Sequence, residues 1–83
     1  MGSYAVIFTY QSDDETVVYL YDSKEKAVDF LRESIMQEYK IDVEENGFAS
    51  AYYISEDGTR GSLTTYFDDV TEVMEVRVGA VYA

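Results

Sequence analysis

The chain has 83 residues, 17 of them acidic against 6 basic for a net charge of −11, and it lacks cysteine, histidine and proline. That length makes a single domain spanning 1–83, with one small core and roughly 60% of its unfolded surface to bury. Hydrophobic residues make up 47%, including nine tyrosines and four phenylalanines, which excludes disorder; the missing cysteines exclude disulfides, zinc–thiolate sites and a thiol nucleophile.

The first segment, "SYAVIFTYQ", is β-branched and aromatic on both faces and predicts a buried, central strand. In "ETVVYLYD", Val18 and Leu20 alternate with Val17, Tyr19 and Tyr21, the pattern of a half-buried strand. Between them "QSDDE" is short and polar, so the two strands pair as a hairpin whose charges, Asp13, Asp14 and Glu15, discourage edge-to-edge aggregation. The period then changes. In "DSKEKAVDFLRESIMQEYK", Ala27, Leu31, Ile35 and Tyr39 recur at four-residue steps beside Val28 and Phe30, which predicts an amphipathic helix. Asp22 or Ser23 caps its start, Glu25 lies in the dipole-favoured first turn and Lys40 suits the last. Ile41 and Val43 read as a loop with two apolar anchors, and Asn46-Gly47 offers a left-handed stop should the helix run that far.

"FASAYYIS" and "RGSLTTYF" then flank "EDGT", with Gly58 placed for the left-handed position of a tight hairpin turn. A last strand, "VTEVMEVRVGAVY", alternates Met74, Val76 and Val78 against Val73, Glu75 and Arg77. The expected class is α+β, one five-stranded antiparallel sheet with one helix packed on a face, in the order β-β-α-β-β-β. Such a sheet is about 20 Å wide and a helix only about 10–12 Å across, so one face is incompletely covered and the other is open. With Val18, Leu20, Leu63, Phe67, Met74, Val76 and Val78 turned to the helix, alternation sends Tyr19, Tyr21, Tyr66 and Val73 outward.

The acids do not spell a metal or catalytic site. "SDDET", "DVEENG", "SEDGT" and "FDDV" lack the alternating ligands of a calcium loop. Without histidine the usual general base is missing, and "EDGTRG" has neither the lysine nor the helix of a phosphate loop. No catalytic, cofactor-binding or metal-binding residue is expected, and a non-enzymatic protein is. Six basic residues against seventeen acids oppose nucleic acid and anionic membranes. No membrane span and no opening signal peptide are expected, and a cysteine-free small domain points to the cytoplasm. A basic protein partner fits the charge. The contact candidates are Tyr19, Tyr21 and Tyr66, with Glu25, Asp29 and Glu33 as an electrostatic stripe along the helix. A stripe of that kind is also what imitation of a DNA strand requires, although Lys24, Lys26 and Arg32 interrupt it. The alternative expectation is a homodimer formed through the open sheet face.

At "VVYLYDSKEKAVDFL" and "ISEDGTRGSLTTYFDDVTEVMEVRVG" the chain resembles a group of small acidic proteins of gut bacteria and their mobile elements, whose function is unassigned. The resemblance carries over no site residue. It implies a partner-blocking role of the anti-restriction, anti-CRISPR or toxin-immunity type.

Overall fold

A computed structural model describes residues 2–11 and 14–82. The chain forms β1 (Gly2–Tyr10), β2 (Glu15–Tyr21), α1 (Lys24–Lys40), a π-helical turn (Ile41–Glu45), β3 (Ala49–Ile54), β4 (Arg60–Tyr66) and β5 (Thr71–Tyr82). The five strands make one sheet in the order β2-β1-β5-β4-β3, antiparallel throughout. The α+β class and the element order therefore stand as expected. β5 takes the middle of the sheet; β1 sits one place away, paired on both sides. Because β2 and β3 are opposite edges, α1 must carry the chain across a whole face. Ser12 and Asp13, half of the first hairpin's loop, lie outside the described residues; Asp14 beside them has a left-handed φ of 51°.

The helix begins where local chemistry says it should. The Ser23 hydroxyl accepts the Lys26 N–H at 3.1 Å, and Glu25 and Lys40 occupy the first and last turns. Ala27, Leu31 and Ile35 are fully buried and meet Val6, Phe8, Leu63, Met74 and Val76 from the sheet. Each of the larger side chains contributes roughly 1.5–3 kcal/mol by leaving water. The residues expected as a loop extend the helix instead. Ile41 to Glu45 form a π-helical turn in which Asn46 N–H donates to the Ile41 carbonyl, and Gly47, at φ 68°, supplies the left-handed stop. The wider turn swings Asp42 toward the sheet, where its carboxylate accepts from the Thr65 hydroxyl at 2.8 Å. A tertiary bond, unseen in the local pattern, thus fixes the helix end on β4.

A larger correction concerns β2. Tyr19 and Tyr21 turn toward the helix and pack on Phe30, with ring centroids 5.1 and 5.3 Å away. Val18 and Leu20 face outward, 52% and 66% exposed. Both sets of alternate side chains on β2 are apolar, so hydrophobicity does not choose between them, and a reversal of phase moves every one. The rings win the inner side because they reach across the corner between the helix and the sheet edge. Phe67 lies just beyond β4 but keeps to the helix side as expected, and packs edge-on against Phe48, 4.6 Å between centroids. Leu63, Met74, Val76 and Val78 do face the helix, and Tyr66 is exposed as expected.

The second hairpin seats the sheet beneath the helix. Asp57 accepts from the Thr59 N–H at 3.1 Å, the Thr59 hydroxyl at 2.8 Å and the Ser55 hydroxyl at 2.9 Å. These bonds, the Thr59 N–H foremost, hold its carboxyl at about 2, below its ordinary 3.8. Gly58, at φ 75°, is buried where a Cβ would meet Val28 and Arg32. Gly61 lies under α1, where a Cβ would meet the Ile35 and Leu31 side chains and the Tyr53 carbonyl.

Two outcomes follow from this packing. Gly61→Ala overfills the contact with α1 and lowers unfolding stability by about 1–3 kcal/mol, read from chemical denaturation. A depressed folded pKa stabilises above the unfolded value and is lost as pH falls through the folded one. Asp57→Ala therefore lowers Tm at neutral pH, and its gap from the wild type narrows as pH drops from about 3.8 to about 2.

Candidate functional site

The strands carry three carboxylates, Glu15, Glu72 and Glu75, and two cations, Arg60 and Arg77. Register distributes them unequally. Glu15 pairs with Tyr10, which packs on the core, and Glu72 pairs with buried Thr65, so both belong to the helix side. Arg60 and Arg77 stand directly opposite one another on the open face, with Glu75 two residues along β5. The open face is thus locally cationic on a chain whose net charge is −11. Its other half is aliphatic: Val18, Leu20 and Val81 are exposed beside half-buried Ile7.

The helix side carries both signs: Lys24, Lys26, Arg32 and Lys40 are exposed on α1 among its four acids. Glu25, Asp29 and Glu33 are exposed along α1 at four-residue steps, and the one ion pair among the described residues, Lys26 with Asp22 at 3.2 Å, does not involve them. The six residues expected at a contact are therefore divided. Tyr19 and Tyr21 share the helix side with Glu25, Asp29 and Glu33, while Tyr66 lies on the open face, across from Thr71.

Between the C-terminal half of α1 and the sheet, the incomplete cover leaves two adjoining cavities. The larger, about 280 Å³, is walled by Phe8, Tyr10, Tyr19 and Phe30, with Gln37 and Glu38 from the helix. The smaller, about 190 Å³, continues past Tyr10 and Met74 to Asp42, Glu72 and Phe67, and Glu38 borders both. Phe8, Tyr19 and Phe30 meet edge to face at 84°, 78° and 65°, with centroids 5.1–5.8 Å apart. They form a corner of three nearly perpendicular rings. Tyr10 is half-buried there, and its phenol is pushed above its ordinary value, first by burial and then by the charge of Glu38, with Tyr19 and Glu15 adding to it.

Sequence reasoning placed Tyr19 at a contact for its ring, but missed Tyr10, Phe30, Glu38 and Asp42 as its neighbours. A partial signal existed: Glu38 and Asp42 are four residues apart, and so share a helix face beyond the last buried step. That this face meets strand tyrosines depends on sheet order. Among the described residues no group of three or more acidic side chains is arranged to hold a metal ion, and no helix is long and apolar enough to cross a membrane. No protein-family model, curated protein or solved structure matches the chain.

Proposed function

We propose that the protein is a non-catalytic, cytoplasmic binding domain that engages a basic protein partner on its helix side. The observation that carries this reading is local charge at the aromatic cleft: Glu38, Asp42 and Glu72 border its two cavities and no lysine or arginine lines them, while both strand cations are on the open face. A field of one sign steers a partner of the opposite sign and orients it before contact. Aromatic rings half-open to solvent then offer large area at low entropic cost. Stoichiometric occupation of a basic surface is also how a blocking protein of the anti-defence or immunity type, implied by the resemblance, would act.

The open face supports a second reading, self-association. Val18, Leu20 and Val81 form an aliphatic patch, and the sheet's roughly 20 Å width is enough for a modest symmetric interface.

Capture from host lysate at low and high salt separates the two. A basic protein should be retained at low salt, released at high salt, and lost when Glu25→Gln, Asp29→Asn and Glu33→Gln are combined; Leu20→Lys should leave it bound. Retention that ignores salt, or loss on Leu20→Lys alone, would refute helix-side docking. Light scattering that shows a dimer dissociated by Leu20→Lys would establish the second reading.

A further inference from the structure

We propose that the cavity walled by Phe8, Tyr10, Tyr19 and Phe30 is a lysine pocket that takes the ammonium of a side chain presented by the basic partner. The inference rests on helix-side docking and deepens it. Three features of one place converge on this chemistry. The first is the three-ring corner, since an ammonium over the face of a ring, within about 6 Å of its centroid, is attracted by the quadrupole. The second is the set of acceptors at its helix wall: Glu38, Gln37 and Ser34 line the cavity, and an ammonium has three N–H donors to give. The third is size. A cavity of about 280 Å³ falls just below the roughly 300–1,000 Å³ of small-ligand sites, so it suits one side chain rather than a cofactor.

The counter-charge is built in. Glu38 lines the cavity from α1, and Asp42 and Glu72 line the adjoining one, so an ammonium there has carboxylates close by. No Lys or Arg of the chain lines either cavity. The Tyr10 hydroxyl beside it is neutral at ordinary pH, and burial and then Glu38 push its pKa further up.

The test is a nuclear magnetic resonance titration of the full chain with N-acetyl-lysine methylamide at low salt, following the ring signals of Tyr19 and Phe30. Saturable shifts are expected, with none from the norleucine analogue, which has the same stem without the charge. Glu38→Gln should weaken binding roughly tenfold, and Tyr19→Leu to a similar degree. Glu56→Gln, which removes the same charge from a distant turn, should change nothing. Equal binding of norleucine, or equal loss from Glu56→Gln and Glu38→Gln, would overturn the pocket. Tighter binding of spermidine than of a lysine-bearing peptide would overturn the assignment to a protein side chain. Should Tyr19→Leu fail to fold, Glu38→Gln, on an exposed helix position, still decides the matter. Partner capture that survives Glu38→Gln would leave helix-side docking intact and refute the pocket alone.

Discussion

One helix must cover five strands, and it cannot. The sheet is roughly twice as wide as the helix, so Ala27, Leu31 and Ile35 seal only a diagonal band while the chain passes from edge to edge. Everything distinctive about the molecule is a response to that shortage of cover. Gly61 lets the helix approach the sheet where a side chain would hold it off. The π-helical turn extends the cover by a few residues and bonds Asp42 to Thr65. Where neither device reaches, large rings fill the margin: Phe30, Tyr19 and Tyr21 at one side, and Tyr39 against Tyr52, 4.9 Å between centroids, at the other.

This explains which parts of the structure were legible in the sequence. Features fixed within a few residues could be read directly: the Ser23 cap, the four-residue buried steps of α1, and the "EDGT" turn with its left-handed Gly58. Each involves a hydrogen bond or a steric rule confined to its own segment. The phase of β2 could not be read, because Val18 and Leu20 are as apolar as the tyrosines they alternate with. The decision came from Phe30, a partner on another element. The π-helical turn was hidden for the same reason, since Ile41 and Val43 suit a loop until Asp42 finds Thr65.

The candidate site was half legible. The need for an uncovered area followed from dimensions alone, and of the three tyrosines put forward Tyr19 lines the cavity while Tyr21 and Tyr66 do not. What failed was the side. Tyr19 and Tyr21 were placed on the open face and instead turn under the helix, so the open face keeps Tyr53 and Tyr66, aliphatic residues and the Arg60–Arg77 pair. The aromatic and acidic features, which looked like two separate surfaces in the sequence, are neighbours in space because of that reversal.

Their proximity has an energetic sense. Glu38, Asp42 and Glu72 border one small cavity, and no lysine or arginine lines it. Asp42 accepts from the Thr65 hydroxyl, while Glu38 and Glu72 are exposed and have no ion-pair partner among the described residues. Meanwhile Arg60 and Arg77, which could have offset them, oppose each other across the sheet, itself an unfavourable cross-strand pairing. Exchanging one cation for one acid between the faces would separate the two arginines and place a counter-charge beside the acids. A fold selected for stability alone has no reason to keep them apart. A cleft that takes a partner's cation, as proposed, would have one, because a resident arginine lining the rings would occupy the place.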